Sequence, residues 1–230
     1  KADNVGLSFS LESRANADKR FPDSSNLDFF DDKDFTVACS DVNLADELAR
    51  GSYGVVYKGY MKNSTYAVKL EDFIPGGEEQ TNMLIELSIL QSFPHERLVR
   101  FCGAAYLSKS INSGARIMIL MELCENGALR EFLQQPNWNS SHPDDAVEIS
   151  QRFPNLPWNL LLRLCLDVGE GMQFLHSNNI IHRDMKTTNV LVDSQGRGKL
   201  CDFSFACHVD SLTKEDFIYG TEEVSELVTL

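Results

Sequence analysis

After about 40 polar, acidic and irregular residues, the chain turns to apolar residues in short alternating runs from about Val42. Leu44 to Arg50 and Val55 to Tyr60 predict two strands joined by Gly51-Ser52-Tyr53-Gly54, and Thr65 to Leu70 predicts a third. The period then lengthens. Met83, Leu84, Leu87 and Leu90 recur at helical spacing within Glu79 to Ser92. Phe101 to Leu107 and Arg116 to Met121 predict two more strands, with Ser108 to Gly114 as a polar turn between them. Five strands and one helix make a small first lobe. Ala128 to Gln135 predicts a short helix with Leu129, Phe132 and Leu133 on one face. Gln135 to Pro157 carries four prolines and predicts a surface insertion. Trp158 to Ser177 is the strongest helical pattern, with Leu161, Leu164, Val168, Met172 and Leu175 on one face. Val190-Leu191-Val192 and Lys199-Leu200-Cys201 predict a hairpin around Asp193 to Gly196. No internal repeat is visible.

Composition narrows the class. With 230 residues, 43% of them hydrophobic and 24% charged, the chain is long enough to bury a core and has a globular balance. Its net charge of −13, from 34 acidic against 21 basic residues, opposes a general nucleic-acid or anionic-membrane binder, since phosphate backbones require a basic face. It does not oppose one bound nucleotide. The six cysteines, Cys39, Cys102, Cys124, Cys165, Cys201 and Cys207, form no C-x-x-C pair. They predict reduced, buried thiols in a cytoplasmic protein. No apolar run approaches the ~18 residues of a membrane span, and no secretory leader opens the chain. It starts at Lys1, not Met, and so reads as a piece of something longer. The first 41 residues, including the aromatic and acidic run Asp28 to Phe35, predict a loosely ordered extension.

The chemistry concentrates between Ile180-Ile181 and Val190-Leu191-Val192. There Asp184, Lys186 and Asn189 place a carboxylate, an ammonium and a carboxamide within six residues, in an order no regular helix or strand requires. A loop pinned by strand-like residues at both ends would aim all three at one point. Asp184 is suited to accept a hydroxyl proton, Lys186 to neutralise a phosphate oxygen, and the Asn189 oxygen to ligate a hard cation such as magnesium.

His182-Arg183-Asp184-Met185-Lys186-Thr187-Thr188-Asn189 resembles the catalytic loop of the protein kinases. Leu48 to Val56 is similar to that family's glycine-rich loop, with Ala49 in place of the first glycine and Gly51 and Gly54 as the second and third. Ala67-Val68-Lys69 resembles its third strand, and His95-Glu96-Arg97-Leu98-Val99 its helix-to-strand turn. Asp202-Phe203-Ser204 resembles its Asp-Phe-Gly, with serine for glycine, 18 residues after Asp184. Glu122 to Gly127 looks like its hinge, and Gly220-Thr221 fits the end of its activation segment.

The resemblance covers about residues 44 to 221 and implies an α+β, two-lobed kinase fold. Residues 1–41 would be an extension and 42–121 a five-stranded antiparallel small lobe with one main helix. Residues 122–127 would be the hinge and 128–230 an incomplete, mainly helical large lobe. The implied reaction moves the γ-phosphoryl group of ATP to a protein hydroxyl. Lys186 marks the Ser/Thr type, near the tyrosine-kinase-like group. The resemblance assigns ATP binding to Leu48, Ala49, Arg50, Gly51, Ser52, Tyr53, Gly54, Val55 and Val56. It adds Ala67 and Lys69 on the third strand, Met121, Glu122 and Cys124 at the hinge, then Leu191 and Asp202. Lys69 would grip phosphates and be held by Glu86, ahead of Glu79. Asn189 and Asp202 would hold Mg2+, Asp184 would orient the hydroxyl, and His182 and Phe203 would be buried supports. A phosphate on Ser211 or Thr213, paired with Arg183, would order the activation segment.

Ala49, Ser204 and a C-terminus that runs Glu222 to Leu230 without the family's Ala-Pro-Glu motivate a rival: a pseudokinase or truncated ATP-binding scaffold. On that basis the 230-residue piece alone is expected to be poorly stable and weakly active.

Overall fold

A computed structural model describes residues 37–51, 54–108, 115–134 and 157–211. They fall into two compact units, one running to Pro94 with Arg100–Leu123, the other joining His95–Val99 to the chain from Cys124 onward.

The first unit is a five-stranded antiparallel sheet with a helix. Its strands are β1 (Asn43–Arg50), β2 (Gly54–Met61), β3 (Ser64–Phe73), β4 (Phe101–Ser108) and β5 (Ala115–Glu122), ordered β1-β2-β3-β5-β4. Tight turns join β1 to β2 and β2 to β3, so antiparallel neighbours follow. Alternation along β3 splits its side chains between the two faces. Val68 joins Val42, Ala105, Met118 and Leu120 in a core cluster on one face. Ala67, Lys69, Glu71 and Phe73 lie on the other, where helix α1 (Glu78–Ser92) buries Met83, Leu84, Glu86 and Leu87. β1 is an exposed edge strand whose register against β2 shifts on either side of Glu47. Such irregularities twist an edge away from further pairing.

In the second unit, α2 (Leu129–Leu133) is followed after the undescribed stretch by α3 (Trp158–Ser177). Two small antiparallel pairs follow: β6 (Ile180–Ile181) with β9 (Cys207–His208), and β7 (Val190–Val192) with β8 (Gly198–Leu200). The segment His95–Val99 lies along β8, with Val99 N–H donating to the Leu200 carbonyl and Leu200 N–H to that of Arg97. α3 lies close to β8 because Gly171 lacks a side chain. A Cβ there would stand 2.9 Å from Leu200 Cδ1, 3.0 Å from its Cγ and 3.2 Å from the Arg97 carbonyl oxygen. The buried face of α3 includes Leu164, Gly171 and Leu175, and also Asp167. Asp167 is held by Arg197 (Nη2 to Oδ1, 2.6 Å), by Arg97 (Nε to Oδ1, 3.2 Å) and by the Gly198 N–H (2.8 Å to Oδ2).

Several sequence expectations shift. Ser108, expected in a turn, ends β4 and pairs with Ala115. β8 is Gly198–Leu200, not Lys199–Cys201: Gly198 pairs with Val192, and the Cys201 N–H bond to the Asn189 carbonyl closes the ladder just beyond the Val190–Leu200 pair. α1 begins one residue earlier, at Glu78. The helix expected over Ala128 to Gln135 is described only for Leu129–Leu133. The cysteines are free, but only Cys124 and Cys207 are buried; Cys39, Cys102 and Cys201 are half-buried and Cys165 is exposed on α3. The acidic leader, Ser52 and Tyr53, residues 109–114, the insertion over 135–156 and the segment 212–230 lie outside the described residues. No helix among the described residues is long and apolar enough to cross a membrane.

Candidate functional site

In the first unit, the Gly51 N–H donates to the Gly54 carbonyl at 2.9 Å and closes the β1–β2 turn. Leu48, Ala49, Arg50 and Gly51 are exposed, and Val55 and Val56 half-buried. Arg50 is tied to Glu47 by two hydrogen bonds, 3.0 Å from Nε and 2.6 Å from Nη2. Gly54 cannot carry a side chain without movement, since a Cβ would lie 2.3 Å from the Leu70 carbonyl oxygen and 2.9 Å from Glu71 Cγ.

Val56 faces Lys69 across β2–β3, and Ala67 faces Met121 across β3–β5, so these residues share one side of the sheet. Ala67 and Met121 are buried. Lys69 Nζ contacts Glu86 Oε2 at 2.6 Å and Glu71 Oε1 at 2.5 Å. Glu79 lies in the first turn of α1, two turns before Glu86. Glu122 turns to Arg100, accepting its backbone N–H at 2.8 Å.

In the second unit, the loop between β6 and β7 is built around His182, which is fully buried. Its Nε2–H donates to the Cys201 carbonyl at 3.0 Å, and its Nδ1 accepts the Asp184 N–H at 3.4 Å. Both ring nitrogens are satisfied by the neutral imidazole. Burial drives its pKa below the ordinary value, against the opposing pull of the Cys201 hydrogen bond and of the Asp202 and Asp184 charges. Phe203, also fully buried, packs on the ring with centroids 5.2 Å apart.

Asp184 is buried, and its Oδ2 meets Lys186 Nζ at 2.8 Å. Asn189 Nδ2 donates to Asp184 Oδ2 at 2.9 Å and to the Asp184 carbonyl at 2.8 Å. The ammonium and the carboxamide of the loop therefore converge on its one carboxylate. The Asn189 carbonyl accepts from Cys201 N–H at 3.0 Å, which brings the next residue, Asp202, beside the loop. Arg183 and Asp202 both have positive φ, 62° and 61°. Non-glycine residues adopt that region at a cost of about 1–3 kcal/mol, and such outliers cluster at working sites. Arg183 Nε donates to the Phe205 carbonyl at 2.6 Å. Cys124 is buried, and Leu191 is half-buried and bridged to Ala128.

The donor set fits magnesium. With its amide hydrogens directed at Asp184, Asn189 retains its side-chain oxygen as a donor, and Asp202 supplies a carboxylate. Among the described residues no group of three or more His, Cys, Asp and Glu could hold a metal alone. Magnesium suits two protein oxygens completed by water and phosphate.

Sequence reasoning missed two groups, Glu71 on Lys69 and Asp167 between two arginines, and did not foresee that Ser204 Oγ donates to Asp202 Oδ1 at 2.8 Å. For Glu71 a signal existed, since two residues along a strand returns the side chain to the face of Lys69.

Comparison with known proteins places these motifs in context. The family described as "Protein tyrosine and serine/threonine kinase" matches residues 42–222. The probable serine/threonine-protein kinase kinX of Dictyostelium discoideum is 30% identical over 83% of this chain and 16% of its own length. Probable serine/threonine-protein kinase kinY of the same organism is 27% identical over 83% of this chain and 35% of its own. Cell division control protein 7 of Schizosaccharomyces pombe is 29% identical over 84% and 17%. The chain thus spans well under half the length of these relatives.

Proposed function

Because the chain belongs to the protein tyrosine and serine/threonine kinase family, we propose that it transfers the γ-phosphoryl group of ATP to serine or threonine hydroxyls of protein substrates. The observation that carries this reading is the convergence of Lys186 and Asn189 on Asp184 within one loop. Phosphoryl transfer has a loose transition state, so catalysis is mostly positioning and charge neutralisation. Asp184 orients the substrate hydroxyl and takes its proton. Lys186, bonded to the same carboxylate, steers a phosphate oxygen toward it and supports the Ser/Thr assignment. Lys69, held by Glu86, binds the α- and β-phosphates, and the Gly51–Gly54 turn offers backbone amides to them. Magnesium held by Asn189 and Asp202 neutralises charge on the phosphates when bound. The domain limits read from the sequence, the adenine contacts at Glu122 and Cys124, and a location in the cytoplasm belong to the same proposal. So does control by phosphorylation, in which Arg183 pairs with a phosphate on Ser211 or on Thr213, the latter outside the described residues.

The test is phosphate transfer from labelled ATP to a generic basic protein with magnesium present. Asp184→Asn is expected to lower kcat by about 10²–10⁴ while ATP still binds. A chain that binds ATP but whose transfer rate is the same with and without that substitution refutes the reading. One observation favours the second reading, an ATP-binding scaffold: the Ser204 hydroxyl occupies an oxygen of Asp202. Binding of MgATP with no transfer in the unsubstituted chain selects it.

A further inference from the structure

The sheet face that bears Lys69 also buries a second carboxylate. Glu71, two residues on, meets Lys69 Nζ at 2.5 Å, while Glu86 meets it at 2.6 Å from α1. The side chains of Glu71 and Glu86 are 5% and 2% exposed, so two carboxylates are withdrawn from water onto one ammonium. Burying a charge costs several kcal/mol, and Glu86 alone already neutralises the lysine. A purely structural role therefore leaves the second carboxylate unaccounted for.

Its position says more. Glu71 is the register partner of Gly54, and its Cγ lies where a Cβ on Gly54 would come within 2.9 Å. Its stem therefore runs beneath the glycine turn that the proposed function assigns to phosphates. A polyphosphate arriving at Lys69 meets the Glu71 carboxylate as a like charge and as a rival for the same N–H donors.

We propose that Glu71 is a positioning residue that competes with the polyphosphate of ATP for Lys69, holding the ammonium in the nucleotide-free protein and thereby setting nucleotide affinity. This rests on the reading of Lys69 as the phosphate-binding lysine. Glu71→Gln keeps the shape and an acceptor but removes the charge, and Glu71→Leu removes both charge and acceptor at similar volume. Binding of MgATP, inorganic tripolyphosphate and adenosine to the 230-residue chain and to both variants is measured by calorimetry, with thermal melting as the fold control.

The expected result is MgATP and tripolyphosphate binding tighter by about tenfold, the scale of one like charge at partly screened range, with adenosine unchanged. KM for ATP falls by the same factor and kcat does not rise, the signature of a ground-state competitor. Affinity unchanged or weakened in a normally melting Glu71→Gln chain overturns the proposal and leaves the ATP reading intact. Loss of fold in both variants also overturns it, since the carboxylate is then structural. If neither the unsubstituted chain nor the variants bind MgATP or tripolyphosphate, the ATP reading falls and takes this proposal with it.

Discussion

At the scale of single residues, two glycines three positions apart have different duties. A Cβ on Gly51 would meet nothing within 4 Å, whereas one on Gly54 would strike the Leu70 carbonyl oxygen at 2.3 Å. Gly54→Ala must therefore displace β2 from β3 beneath the proposed phosphate turn. MgATP affinity is expected to fall by about tenfold or more, as small misplacements at such sites do. Gly51→Ala is expected to change melting stability by no more than about 0.5 kcal/mol. Titration and thermal melting of the two variants side by side check the contrast. The sequence marked both glycines as equal members of one motif. It could not separate them, because the difference lies in what stands beneath each one.

At the scale of elements, α3 shows what periodicity reveals and what it conceals. Its span, Trp158–Ser177, was readable because large apolar residues recur every three or four positions. The buried Asp167 was not, because an isolated acid within a helical repeat reads as a solvated position. Its partners Arg97 and Arg197 come from far along the chain. Burial raises the Asp167 pKa, but the Arg197 hydrogen bonds, the Gly198 N–H and the Arg97 charge outweigh it and hold the carboxyl below the ordinary range. Asp167→Asn leaves both guanidinium groups without that charge. It is expected to cost about 3 kcal/mol, near the low end for a broken buried pair because Arg197 is partly exposed. Urea denaturation checks it. By the same logic the five strands of the sheet were legible, although β3 runs on to Phe73 past the expected Leu70, whereas β9 was not foreseen, since it exists only through its pairing with Ile180 and Ile181 far back in the chain.

At the scale of the whole molecule, acid should act unevenly. His182 and Asp167 both belong to the second unit. His182 is buried as a neutral ring with its pKa lowered, so the unfolded chain binds the proton more readily. Its contribution is complete above the ordinary histidine value of about 6.5 and is lost as pH falls through the lower folded value. Asp167, also lowered, contributes above the ordinary carboxyl value of about 3.9 and loses that contribution as pH falls through its folded value. Hydrogen exchange at pH 7.5 and pH 5.5 is expected to show protection lost first around β6, β7, β8 and the loop bearing Asp184, with β2, β3 and β5 retaining theirs. Equal loss in both units would contradict this. The five-stranded sheet with its helix and the order of the family's motifs were legible because each of these signals is short and local. The coupling of buried charges was not, since it joins side chains that only folding brings together.

The bare flank of α3 at Gly171 has a consequence for the carboxylate assigned to the metal. Leu200, the residue that would collide with any added methyl group, stands two positions before Asp202 on the same piece of backbone. The thickness of a helix thus acts as a spacer, and a methyl group added at Gly171 would be felt at the carboxylate proposed to hold the metal.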